Sequence, residues 1–175
     1  METIKPFVVL EGVDGSGKTT VGQRLAHELG GAYLHTLSEG YKPSRAYVDT
    51  SAPDARLLFY LSSVVDASER IAQMRLEQPV ICDRYVWSSL VPHAAYHGRD
   101  LSELTQVWSF VTNALVSPSQ VFFLQVSEEE QLRRIGTRKD LTLSASDSFC
   151  LQEVYRKNVR RLYEQVAHRM CVCVG

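Results

Sequence analysis

Gly12-Val13-Asp14-Gly15-Ser16-Gly17-Lys18-Thr19 is the stretch on which the reading of this chain turns. It fits the pattern G-x-x-x-x-G-K-[ST], and its flanks fit as well. Before it stands the short apolar run Phe7-Val8-Val9-Leu10, which reads as a buried strand. After it, Val21, Leu25 and Leu29 recur at helical spacing until Gly30-Gly31 stops them, giving a helix over residues 17–29. Strand, glycine turn and helix start together make a phosphate cradle for a physical reason. A polyphosphate carries several negative charges, so backbone N–H groups must come close to its oxygens, and glycine permits that approach. The helix then turns its positive dipole end to the anion. Gly12, Asp14, Gly15, Ser16, Gly17, Lys18, Thr19 and Thr20 are therefore the candidate nucleotide-binding residues. Lys18 is expected to reach the β and γ oxygens, and the Thr19 hydroxyl can ligate a magnesium ion, so the implied cofactors are ATP and Mg2+.

Outward from this loop, short apolar runs alternate with longer helical patterns. Strands are expected at residues 7–10, 32–35, 80–82, 121–126 and 170–174, and further helices at 54–77, 101–116 and 147–169. That order predicts an α/β fold: a doubly wound parallel five-stranded sheet flanked by helices, of P-loop NTPase type, in one domain over residues 1–175. Residues 136–146 lack helical period and mix basic with small polar side chains. They read as a mobile loop, and a short lid is placed at about 136–147.

Composition narrows the class of ligand. The 175 residues are 45% hydrophobic, enough for one substantial core, and the formal net charge of −1 creates no field that would gather nucleic acid or an anionic membrane. The expected partners are small molecules. Cys82, Cys150, Cys171 and Cys173 include no C-x-x-C pair and read as reduced thiols. The run at 7–10 is too short for a signal or a membrane span, so a soluble, cytoplasmic protein is expected. His93 and His97 stand four apart, but no third metal ligand is visible beside them in the sequence, and Pro92 weakens a helix there.

Among phosphate-loop proteins, GTPases carry an N-K-x-D run, and Thr137-Arg138-Lys139-Asp140 has the wrong order for one. ATPases of the motor type place an acidic pair after an apolar strand, whereas Val80-Ile81-Cys82 runs into Asp83-Arg84-Tyr85. Asp83 at a strand's carboxyl end would face the metal, and Arg84 beside it supplies a fixed cation. Hydrolysis needs a group that activates water, while transfer to a second phosphorylated molecule needs a cation to hold that molecule. Asp83-Arg84 suits transfer.

Glu11-Gly12-Val13-Asp14-Gly15-Ser16-Gly17-Lys18-Thr19-Thr20, followed by Asp83-Arg84-Tyr85 and Ser88-Ser89, resembles the thymidylate kinase family. Leu57-Leu58-Phe59 in the long helix and Val121-Phe122-Phe123-Leu124 before an arginine-bearing helix resemble it in order and spacing, so the likeness spans most of the chain. The resemblance implies phosphoryl transfer from ATP to a (deoxy)nucleoside monophosphate in a homodimer packed through long helices. It also implies roles: Asp14 on the sugar hydroxyl and metal-bound waters, Arg84 on the acceptor phosphate and Phe59 stacked on the base. Asp83 joins Thr19 as the candidate metal ligand. Arg134 and Arg138, four apart at the lid's edge, are candidate catalytic cations, because no residue at the variable positions of the glycine loop is cationic.

The chain departs from that pattern in places. The family's base-reading arginine falls at Ser63, and Asp66 and Arg70, on the same helix face by spacing, are candidates to read a base instead. Leu37-Ser38-Glu39-Gly40-Tyr41-Lys42-Pro43 replaces a glutamate-proline-glycine-glycine stretch, leaving Arg45 to hold the acceptor phosphate. The family continues beyond the position of Gly175, which reads as a minimal or a truncated member. Two other functions fit the same loop: a kinase for a nucleoside or other small metabolite, and a non-catalytic nucleotide-binding regulatory protein.

Overall fold

Phe7, Val8, Val9 and Leu10 are buried on both faces, as a central strand of a parallel sheet must be, and they form β1 (Phe7–Gly12). The computed structural model describes residues 4–137, 149 and 151–170. β1 pairs in parallel with β3 (Val80–Asp83) on one side and with β4 (Gln120–Leu124) on the other, and β3 pairs in parallel with β2 (Ala32–His35). The strand order is β2-β3-β1-β4. Leaving β1, the chain crosses towards β2 on one flank; leaving β3, it crosses towards β4 on the other. The loops after β1 and β3 thus part in opposite directions and open a crevice at the carboxyl ends of two adjacent strands, where open α/β sheets bind ligands.

α1 (Lys18–Glu28) connects β1 to β2, and α2 (Lys42–Asp49) and α3 (Pro53–Met74) precede β3. α4 (Trp87–His97), a 3-10 turn (Leu101–Leu104) and α5 (Thr105–Thr112) lead to β4, and α6 (Glu128–Gly136) and α7 (Glu153–Met170) follow it. Alternate residues of β1 feed two cores, as the period of a strand requires. Phe7 and Val9 join Val64 and Ile71 of α3, Leu90 of α4 and Leu162 of α7. Val8 and Leu10 pack on the other face with Ala26 of α1 and Ile81.

Several expectations need correction. Four strands, not five, occur among the described residues: Met170 closes α7, and the rest of the expected fifth strand, 171–174, lies outside them. Of the expected lid at 136–147, Gly136 ends α6 and residues 138–147 lie outside the described residues. The helix expected over 101–116 is shorter and begins as a 3-10 turn. There Asp100 Oδ1 accepts from the Ser102 N–H at 2.9 Å and Glu103 Oε1 from the Asp100 N–H at 2.9 Å, local bonds that compete with a regular first turn. Pro92, expected to weaken a helix, lies inside α4. Buried Leu90, Val91, Ala94 and Ala95 anchor that helix to the core and outweigh the lost backbone bond. Among the described residues no helix is long and apolar enough to cross a membrane.

Candidate functional site

The loop after β1 owes its path to its glycines. A Cβ on Gly12, whose φ is 134°, would stand 2.3 Å from the Leu124 carbonyl oxygen of β4, so only glycine lets the loop leave the sheet here. Gly17 caps α1 at a φ of 94°, a left-handed conformation that turns the chain into the helix. Lys18, buried in the first turn, folds back over the loop. Its Nζ donates to the carbonyls of Gly12 (2.9 Å) and Val13 (2.7 Å) and to Ser16 Oγ (3.3 Å). Burial first, and then the nearby Arg84 guanidinium, lower its pKa to about 8.

The end of β3 meets this loop across the crevice. Asp83 Oδ2 accepts from Thr19 Oγ1 at 2.6 Å and from the Tyr33 hydroxyl at 2.8 Å, while Asp83 Oδ1 is buried with no hydrogen-bond partner among the described residues. An orphaned carboxylate oxygen beside a threonine hydroxyl is a pair of hard oxygen donors, which fits a magnesium ion. Arg84 is the one non-glycine described residue with a positive φ, 72°. That turn lets its Nη2 donate to Asp14 Oδ1. Burial opposes charge on Arg84, but the Asp14 carboxylate outweighs it and holds the guanidinium more firmly protonated than usual.

Behind this pair, Glu11 is fully buried. It accepts from the backbone N–H groups of Tyr85 (3.0 Å) and Ser88 (3.3 Å) and from the Ser88 hydroxyl. Burial raises its pKa, and these donors partly offset that rise. The carboxylate ties the loop after β3 to the last turn of β1 and so sets where Arg84 stands.

A cavity of about 1050 Å³ starts at the glycine loop and at Arg134 and extends past Asp14 and Arg84 to α2, α3 and α4. At the far end Arg45 pairs with Asp49 at 3.4 Å, and the Tyr60 hydroxyl donates to Asp49 Oδ1 at 2.7 Å. Arg56 lies 5.1 Å from the ring centre of Tyr96 and 5.4 Å from that of Phe149. His35, whose Nδ1 accepts from the Leu37 N–H at 3.1 Å, is held neutral by burial and then by Arg84. At the near end Arg134 Nη1 donates to the Gly15 carbonyl at 3.1 Å while its Nε donates to Glu130 at 2.6 Å.

Of the residues expected from sequence, Asp14, Lys18, Thr19, Thr20, Arg45, Arg84 and Arg134 all line this cavity, and Asp83 is bonded to Thr19 at its edge. Arg138 lies outside the described residues. Phe59, Ser63 and Asp66 do not line it. Phe59 packs edge-on against Tyr41 at 5.4 Å; Ser63 is buried with its hydroxyl donating to the Tyr60 carbonyl at 2.7 Å; Asp66 pairs with Arg70 at 3.3 Å. At about 100° per residue, Phe59 and Asp66 are turned by about 100° or more from Pro53, Leu57 and Tyr60, which do line the cavity. Sequence reading misses that second face, although the i, i+3 and i+4 spacing of Pro53, Arg56, Leu57 and Tyr60 is its signal. It also misses Glu11 as a fixed anchor.

The thymidylate kinase family matches residues 10–174. A probable thymidylate kinase of Methanococcus aeolicus is 30% identical over 164 residues, covering 91% of this chain and 81% of the relative. One of Pyrococcus horikoshii is 35% identical over 176 residues, covering 90% and 82%. Among solved structures, thymidylate kinase from Candida albicans superimposes with a TM-score of 0.71 at 16% identity, covering 95% of this chain and 80% of that one. Deoxyadenosine kinase from M. mycoides with bound dATP superimposes with a TM-score of 0.64 at 17% identity, covering 94% and 84%. Both structural likenesses speak to the fold.

Proposed function

This chain belongs to the thymidylate kinase family, and on that premise we propose that it transfers the γ-phosphoryl group of ATP to a (deoxy)nucleoside monophosphate. The observation that carries the proposal is one cavity reaching from the glycine loop to Arg45 and Tyr60, with Arg84 between them. A donor at one end and a phosphorylated acceptor at the other fill such a space; a hydrolase has no use for its far half. An acceptor phosphate oxygen attacks the γ phosphorus, the bond to the β–γ bridging oxygen breaks, and ADP and a nucleoside diphosphate leave.

Lys18, released from the loop carbonyls, balances charge on the bridging and γ oxygens as the group moves. When bound, Mg2+ would supply further charge neutralisation to the phosphates, and Thr19 and Asp83 are the residues that would hold it. Arg84 holds the acceptor phosphate, with Arg45 beside it. A carboxylate among phosphate-binding amides repels the donor unless a cation or hydroxyl intervenes. Asp14 meets that condition through Arg84, and in this scheme its carboxylate meets the acceptor's sugar hydroxyl. Arg134, joined by Arg138, stabilises the γ-phosphoryl group. Ser63 stands where the family's base-reading arginine is expected, so base selection falls to Arg56 and Tyr60.

The reading includes a homodimer, for which exposed Leu58 of α3 and Phe110 of α5 supply apolar surface. The deciding experiment incubates the protein with ATP and Mg2+ and, in turn, each common ribo- and deoxynucleoside monophosphate, following ADP release. One monophosphate should raise ADP release far above that without acceptor. ATP binding with no transfer to any monophosphate, or transfer to an unphosphorylated nucleoside alone, would overturn the proposal.

A further inference from the structure

His93 and His97 stand four apart on α4, so both rings share one helix face, with ring centres 4.7 Å apart. The third ligand that the local sequence lacks comes from another helix. Asp54, in the first turn of α3, brings its Oδ1 to 3.6 Å from His93 Nε2. One donor atom from each of Asp54, His93 and His97 lies within 4.8 Å of the other two. None of the phosphoryl-transfer roles assigned above uses these three side chains.

We propose that Asp54, His93 and His97 bind one divalent transition-metal ion, best matched by Zn2+, at a position separate from the magnesium pair Thr19 and Asp83. Two imidazoles and one carboxylate form a mixed nitrogen and oxygen donor set, which suits zinc and leaves a fourth position open. Bonds of about 2.0–2.2 Å set the edges of a zinc tetrahedron at about 3.4 Å. The Asp54–His93 contact is already close to that edge. The remaining closure is small and falls on exposed side chains, since His97 is exposed and the Asp54 side chain is 85% exposed.

His93 is the fixed member. It is buried, and its Nε2 already faces Asp54 Oδ1 at 3.6 Å. Magnesium, which prefers oxygen ligands and keeps its water, is a poor match for such a set. An ion there joins the start of α3 to the last turn of α4 at the cavity rim, because Pro53, Arg56 and His93 all line the cavity. It therefore braces the helix that carries Arg56 and Tyr60.

The test titrates the full chain with Zn2+ alone against a chromogenic chelator, and with Co2+ while recording visible absorption. One Zn2+ per chain is expected, retained in excess Mg2+ and weakened at least tenfold in His97→Ala and in Asp54→Asn. The Co2+ bands should lack a thiolate charge-transfer component. Both substitutions are at exposed positions, so they keep the test valid if His93→Gln fails to fold. Thermal scans should show Zn2+ raising the Tm of the wild-type chain and not that of His97→Ala. No stoichiometric Zn2+, wild-type affinity in the two exposed variants, a thiolate band, or displacement by Mg2+ would each overturn the site.

Discussion

Thr19 and Asp83, on different sides of the crevice, are joined by a hydrogen bond of 2.6 Å that leaves Asp83 Oδ1 buried and unpartnered among the described residues. The loop after β1 and the end of β3 thus converge on one pair of oxygen donors. If they are the magnesium ligands, Asp83→Asn keeps the hydrogen-bonding shape but removes the charge. Its rate should fall about a hundredfold or more at fixed Mg2+, with recovery only at much higher concentration. A Mg2+ dependence identical to wild type would remove Asp83 from this role.

Lys18→Met tests the charge proposed to face the transferred group. Phosphoryl transfer should be lost, because such a contact is worth tens to thousands-fold, about 3 kcal/mol in the barrier. Retention of more than about a tenth of the rate would contradict a transition-state role for Lys18.

The same lysine makes a pH prediction. Its folded-state pKa is about 8 against an ordinary lysine value of 10.5, so over that interval the unfolded chain holds a proton that the folded chain has released. The sign follows: Lys18 costs stability below pH 8, and the cost is relieved as pH rises towards 10.5. Thermal scans of wild type and Lys18→Met should therefore show wild type gaining on the variant over that range. A bound polyphosphate reverses the effect by favouring the ammonium. ATP binding near pH 8.5 should take up a proton, measurable by calorimetry in buffers of different ionisation heat. A gap in Tm that stays constant with pH would dispose of the first half, and absence of proton uptake the second.

How much of this was legible follows from where each signal resides. The glycine loop is a local pattern whose flanking strand and helix are also local, so Gly12 to Thr20 could be read directly, as could Asp83-Arg84 at a strand end. The face of α3 could not. Which side of a helix meets a cavity depends on packing, and one residue of phase is a turn of about 100°, enough to exchange Phe59 for Tyr60. Asp54 was invisible as a neighbour of His93 because helices α3 and α4 meet only in the fold. The apolar residues before Gly175 carry strand-like composition, yet Met170 belongs to a helix. A short apolar run does not by itself separate the two states.

Arg134 is the cation whose role separates chemistry from binding. It already reaches the Gly15 carbonyl, and Glu130 holds its Nε, which places it at the glycine loop where the proposed donor would sit. Arg134→Ala should lower kcat by about a hundredfold with little change in ATP affinity, and the double variant with Arg138→Ala should fall further. Near-normal kcat in the double variant would send the search for the missing cation elsewhere.

The two faces of α3 make opposing predictions about the acceptor. The resemblance implies that Phe59 stacks on the base, and the sequence offers Asp66 and Arg70, one helix face with Ser63, to read it in place of the family's arginine. In this chain Phe59 packs on Tyr41 and Asp66 is occupied with Arg70, while Arg56 and Tyr60 line the cavity. Tyr60 is further fixed by its bond to Asp49, and burial, then that carboxylate, push its pKa up to about 12, so it presents a neutral ring and hydroxyl. Arg56→Ala and Tyr60→Ala should each raise the acceptor KM at least tenfold, about 1.4 kcal/mol of lost binding, with ATP affinity unchanged. Asp66→Ala should leave the acceptor KM and the choice of base as they were, since its half-buried ion pair with Arg70 lies outside the cavity lining. If instead Asp66→Ala changes which monophosphate is preferred while Tyr60→Ala does not, the base sits against the Phe59 face. Helix α3 would then have to rotate or shift when the acceptor binds.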